Sequence, residues 1–136
     1  MANKNNTSFP SCTVTITLTP EARNFLAGTT AGVSHFAIYN DLLDNMAIVD
    51  TSFSKRGNIV PLLTGQAESS AHSMSERWKL GRKSMVRILS TMDDLGIIRL
   101  HTSRLASISD MLSVDKCQTN DGDICYPDFS NLPPDP

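Results

Sequence analysis

Ser70-Ala71-His72-Ser73-Met74-Ser75-Glu76-Arg77-Trp78-Lys79-Leu80-Gly81-Arg82-Lys83-Ser84-Met85-Val86-Arg87-Ile88-Leu89-Ser90-Thr91-Met92-Asp93-Asp94-Leu95-Gly96 is the stretch that decides the fold. It holds two amphipathic segments parted by Leu80-Gly81. The first, over about 70–79, sets Met74 and Trp78 at i, i+4 on an inward face, with Ser69 or Ser70 placed to cap it. The second runs from Arg82 to Leu95 and stops at Gly96. At about 100° per residue, Met85, Ile88, Leu89, Met92 and Leu95 gather on one side of it. Arg82, Lys83, Val86, Arg87 and Ser90 take the other. Asp93 and Asp94 come only in the last turn, the end a helix dipole makes unfavourable for carboxylates. Two helices joined by a few residues with a glycine between them form a helix-turn-helix pattern.

Downstream, Ile97–Leu100 reads as a strand, His101-Thr102-Ser103-Arg104 as a polar turn, and Leu105–Ser109, running on toward Val114, as a second strand. Together they predict a hairpin. Upstream, Ile59–Leu63 is extended, and Pro61 restricts it to an edge strand or strand end. Residues 50–57, ending in Lys55-Arg56-Gly57, read as a loop. Ser34 is placed to cap a helix over about 35–48, whose Phe36, Tyr39, Leu42, Leu43 and Met46 share one stripe. His35 at its start reads as a surface residue. Thr19-Pro20-Glu21 supplies a cap, a first-turn proline and a first-turn acid for a short helix that Gly28 ends. Thr13–Leu18 alternates with period two, as a half-buried strand does.

The chain's 136 residues fit one compact domain with tails. It has no run of eighteen apolar residues, so no membrane span is expected. The first residues lack the basic-then-apolar layout of a signal peptide, which makes a cytoplasmic protein the expectation. Cys12, Cys117 and Cys125 show no C-x-x-C spacing and read as reduced thiols rather than zinc ligands. His35, His72 and His101 have no partner spacing for catalysis, and no phosphate loop or metal motif is present. Neither an enzyme nor a cofactor nor a metal is expected.

Charge is divided unevenly. Nine of the twelve Lys and Arg residues lie between Lys55 and Arg104 against four acids, a local net of +5. From Asp115 onward five Asp face one Lys, a net of −4. Affinity for phosphate follows the local patch rather than the whole-chain sum of −2.

Met74–Met85 resembles the bacterial winged-helix pattern "L-A-x-x-W/L-G-hydrophobic-S-R-x-T-V", and Val86–Ile98 resembles its "x-R-hydrophobic-L-x-x-L-E-x-x-G-hydrophobic-I" ending. Leu62-Leu63-Thr64-Gly65-Gln66 is similar to the "L-x-x-G-Q" element upstream of the motif in phage and plasmid replication proteins. The likeness spans about 58–114 and extends to cyclic-AMP-receptor-type regulators. Gly81 departs from the Ser or Thr that usually caps the recognition helix, Lys79 from the usual turn glycine, and Met74-Ser75 from Leu-Ala. The fold it implies is α+β: a mainly helical winged helix-turn-helix over 51–114 with a C-terminal hairpin wing. Residues 12–50 form a strand-and-helix extension that packs on the domain or dimerises it. Residues 1–11 are expected to be disordered and 115–136 to form a flexible acidic tail.

The function this implies is sequence-specific binding of double-stranded DNA, as a transcriptional regulator of a bacterium or mobile element. Arg82, Lys83 and Arg87, with Ser84 and Ser90, are the candidates on the exposed face of the second helix, where Arg matches guanine O6 and N7. The resemblance places Ser70, His72, Ser73 and Arg77 near phosphates. It places Arg104, with His101 and Ser103, at a wing reaching a phosphate or the minor groove. Two alternatives stand beside this: a winged helix used as a protein–protein assembly module, and a replication or partition accessory role. A homodimer through the 13–18 strand and the 35–48 helix is a further expectation. The acidic tail is a candidate phosphate mimic over the basic face.

Overall fold

The computed structural model describes residues 12–127. Within them lie β1 (Cys12–Ile16), α1 (Pro20–Leu26), β2 (Thr29–Thr30), β3 (Val33–Ser34), α2 (His35–Asp44), β4 (Thr51–Lys55), β5 (Asn58–Leu62) and β6 (Gln66–Glu68). Then follow α3 (Ala71–Trp78), α4 (Arg82–Asp94), β7 (Arg99–Thr102), β8 (Ser107–Asp110), β9 (Val114–Thr119) and β10 (Ile124–Cys125). As many of these residues are in strands as in helices, which corrects the expectation of a mainly helical protein. The chain is mixed α/β. The difference arises where polar composition masked strand pairing, chiefly at 51–55 and 115–125.

Side chains set the starts of three helices. Thr19 Oγ1 accepts from the Ala22 amide at 3.1 Å, Ser34 Oγ from Ala37 at 3.1 Å, and Ser70 Oγ from Ser73 at 3.2 Å. α4 differs: Gly81 precedes it and offers no side-chain acceptor. α3 ends on Lys79 in the left-handed region at φ 55°, a place that usually takes glycine. Gly96, at φ 75°, turns the chain from α4 into β7.

β6, β8 and β7 form a three-stranded antiparallel sheet in that order, with α3 and α4 inserted between β6 and β7. Gln66 and Arg99 both pair with Asp110 in the register, from opposite sides of the central strand. The Asp110 carboxylate is fully buried there. It accepts from Gln66 Nε2 at 2.8 Å on one oxygen, and from Arg99 Nε at 3.1 Å and His101 Nε2 at 2.7 Å on the other. Gln66 Oε1 takes the Leu63 amide at 2.9 Å. The glutamine of the Leu-x-x-Gly-Gln element therefore locks its own turn to the sheet.

One apolar cluster joins the four helices to the residues that follow them. Leu26, Ile38, Tyr39 and Leu42 from α1 and α2 meet Met74, Met85, Ile88, Leu89 and Met92 from α3 and α4, with Ile97, Ile98, Met111, Val114 and Cys117. Of the expected stripe, Tyr39, Leu42 and Met46 are buried and Leu43 packs against them, but Phe36 is half exposed, and His35 and Ile38 take inward positions on α2. His35 is 7% exposed and stacks on Phe25 at 4.2 Å; its Nδ1–H donates to the Phe25 carbonyl at 2.9 Å. It is not a surface residue.

The expected flexible tail is corrected over its described part. β9 pairs antiparallel with β1 and with β10, and Val114 and Cys117 reach the core. Cys117 and Cys125 form a disulfide between β9 and β10, whereas reduced thiols were expected; Cys12 is free. Residues 1–11 and 128–136 lie outside the described residues, as do the expectations made for them. Among the described residues, no helix is long and apolar enough to cross a membrane.

Candidate nucleic-acid interface

The expected loop at 50–57 is in fact half of a hairpin. β4 and β5 pair from Thr51↔Leu62 to Lys55↔Asn58, and Arg56-Gly57 make the two-residue turn at φ 52° and 80°. Positive φ at both positions suits the right-handed twist of the flanking strands. Phe53 and Val60 oppose one another on the covered face, while Ser54 and Ile59 point outward. Lys55 Nζ bonds Glu68 Oε2 at 3.0 Å and so fastens the hairpin to β6.

This hairpin forms one side of a cleft of about 480 Å³. Lys55 and Arg56 line that side; Thr102, Ser103, Arg104, Leu105, Ala106 and Ser107, from the β7–β8 hairpin, line another. Ser70, His72 and Ser73 at the start of α3 and Arg82 at the start of α4 complete the lining. No Asp or Glu is among the lining residues. The side chains of Arg56, Arg82 and Arg104 make no hydrogen bond or ion pair with a described residue, and all three are exposed.

Of the residues read from the sequence, Ser70, His72, Ser73, Arg82, Ser103 and Arg104 meet in this cleft. Ser70 acts first as the α3 cap, and His72 lies 3.5 Å from Glu76 across one helical turn. Ser103 Oγ accepts the amides of Leu105 and Ala106, each at 3.2 Å, and donates to the Ala106 carbonyl at 3.1 Å. It shapes the turn that presents Arg104.

Lys83, Arg87 and Ser90 are exposed along α4. Ser84 and Arg87 also line a smaller cleft of about 160 Å³ with Phe25, Thr30 and His35, so the β2–β3 hairpin lies beside the middle of α4. Two residues are engaged elsewhere. Arg77 donates from Nε at 3.1 Å and Nη2 at 2.8 Å to Asp41 Oδ2 on α2. His101 is held by Asp110 and lines a neighbouring groove of about 390 Å³ with Val60 and Ile108. The resemblance put both on DNA; the structure gives both an internal partner.

α4 is electrostatically inverted. Arg82 and Lys83 sit in its first turn, where amide dipoles are already positive, and Asp93 and Asp94 in its last. Each such placement disfavours an exposed helix by roughly 0.3–1 kcal/mol. An anion at the first turn would offset it. The described acidic residues after β8 do not reach this region: Asp115 accepts from Thr17 Oγ1, just after β1, and none of residues 115–127 lines the cleft.

Lys55 and Arg56 belong to the basic stretch of the sequence but are not among the site residues it suggests. The signal was present as a residue-Gly pair between two period-two runs, Thr51–Lys55 and Asn58–Leu62, but serine-rich composition made the first run look like a loop. Compared with protein-family models, curated proteins and solved structures, the chain matches none.

Proposed function

We propose that the chain binds double-stranded DNA sequence-specifically, docking the exposed face of α4 in the major groove while the β7–β8 hairpin meets flanking phosphates. The observation that carries this is the acid-free cleft whose lining includes both Arg82 and Arg104, distant in sequence and without internal partners among the described residues. Phosphate contacts fix the register of a protein on DNA, and side chains on base edges read the sequence. Arg104, Ser70 and Ser73 suit the first task. Arg82, Lys83, Arg87 and Ser90, on one exposed helical face, suit the second. The resemblance of residues 58–114 to bacterial winged helices supports the same docking. It also supports a use in transcriptional regulation.

Selection of duplexes from a random pool by the purified protein, followed by anisotropy titration, tests this. Arg82→Ala and Arg87→Ala should each weaken the selected site by about 1–3 kcal/mol where a base contact is lost, and relax its sequence preference. Absence of duplex binding at low salt would refute the proposal.

A further inference from the structure

We infer that the β4–β5 hairpin is a second arm that grips the sugar–phosphate backbone of duplex DNA, across the cleft from the β7–β8 hairpin, with Arg56 as its contact. This rests on the DNA-binding reading above and adds a surface to it.

Three observations carry the inference. Arg56 lies at the tip of a hairpin whose turn faces the same cleft as Arg82 and Arg104. The neighbouring Lys55 is neutralised by Glu68 at 3.0 Å, so the two cations of the turn divide their work: one anchors the hairpin, the other is left without an internal partner among the described residues. The turn is also braced from within, since Asn58 Nδ2 donates to the Arg56 carbonyl at 3.2 Å. The backbone that carries the Arg56 side chain therefore needs no further ordering when it meets a ligand.

The ligand chemistry follows from the lining. Cations from three separate segments share the cleft with the hydroxyls of Ser70 and Ser73, and carboxylates are absent from it. Such a surface suits a polyanion whose charges repeat along a line, and a DNA strand running between two hairpins is one. The bases of that strand would not be read by Arg56. Its contribution should therefore be independent of sequence.

The turn supplies a clean test. Arg56 has φ 52°, next to Gly57, and Asn-Gly is the pair such a turn favours. Arg56→Asn thus removes the charge while keeping the hairpin. Binding to a selected and to an unrelated duplex is titrated from about 50 to about 200 mM salt, with hydroxyl-radical footprinting alongside. Arg56→Asn should weaken both duplexes alike, by about three- to tenfold at the lower salt. It should reduce the slope of log affinity against log salt by about one, erase backbone protection at one flank, and leave the melting temperature unchanged or higher. Lys116→Asn on β9, outside the cleft, should change none of these. If Arg56→Asn keeps the wild-type slope and footprint while Arg82→Ala weakens binding, the second arm is refuted and the DNA reading stands. If the wild-type chain binds no duplex, both fall.

Discussion

Asp41 Oδ2 accepts three hydrogen bonds from α3: from Arg77 Nε and Nη2, at 3.1 and 2.8 Å, and from Trp78 Nε1 at 2.9 Å. One carboxylate oxygen on α2 thereby sets where α3 lies, and α3 in turn carries the Ser70 and Ser73 side of the basic cleft. Arg77 therefore acts on any ligand indirectly.

Asp41→Ala is expected to destabilise the fold by about 1–2 kcal/mol. Hydrogen bonds to a charged group are worth more than neutral ones, but Arg77 is 49% exposed and its share is screened. Urea unfolding followed by Trp78 fluorescence measures this, because the indole loses its partner in the same variant. A midpoint equal to wild type would show that packing alone positions α3.

The buried Asp110 is expected to be far less tolerant. It is fully buried and holds Gln66, Arg99 and His101 together at the centre of the β6–β8–β7 sheet. Removing one member of a buried charged network strands the others, at a cost of about 3–5 kcal/mol. Asp110→Ala should therefore lower the urea midpoint much more than Asp41→Ala does. Equal losses from the two variants would contradict this ranking.

The β7–β8 hairpin of this sheet was legible in the sequence because its pairing is local, whereas β6, which pairs with β8 across about forty residues, was not. β7 and β8 are separated by four residues, and α3 and α4 announce themselves by capping, the Gly81 break and the spacing of Met85, Ile88, Leu89 and Met92. The β1–β9 pairing was not legible. Its partners stand about a hundred residues apart, and in β9 Val114 and Cys117 are the buried positions, separated by three rather than two. Asp115 and its neighbours made the segment look like a solvated tail. His35 was misread for a related reason: the ring that buries it, Phe25, belongs to another helix. Along α4, the basic face was readable as a pattern, but its neighbours across the cleft were not. The hairpin bearing Arg56 arrives there only through the β4–β5 register and the Lys55–Glu68 bond.

Alkaline pH should weaken the fold through Tyr39. Its hydroxyl lies 2.6 Å from Ser113 Oγ in the core, and burial raises its pKa above the ordinary phenol value of 10.0, against a smaller opposing effect of that hydrogen bond. The folded state thus disfavours the phenolate relative to the unfolded chain. The stabilisation is complete below the unfolded pKa near 10 and is lost as pH rises from there through the higher folded value. Tyr39→Phe should be less stable at neutral pH by about 1 kcal/mol, for the lost hydrogen bond, yet show a shallower decline above pH 10. Parallel pH profiles for the two proteins would remove Tyr39 as the cause.

Gly81 offers a substitution in which stability and binding should move in opposite directions. A Cβ added there meets nothing within 4 Å, and the backbone, at φ −63° and ψ 149°, is an ordinary extended cap. Gly81→Asp supplies the missing acceptor for the first-turn amides of α4 and a negative charge beside Arg82 and Lys83. The expected gain is a few tenths of a kcal/mol from the cap, with roughly 0.3–1 kcal/mol more from the dipole. On DNA the same carboxylate would occupy the amides and repel phosphate, so duplex affinity should fall while the melting temperature rises. Gly81→Ser separates the two effects, because it caps without charge and should keep more of the binding. If Gly81→Asp raised the melting temperature and left duplex affinity untouched, the first turn of α4 would have to lie away from the DNA backbone.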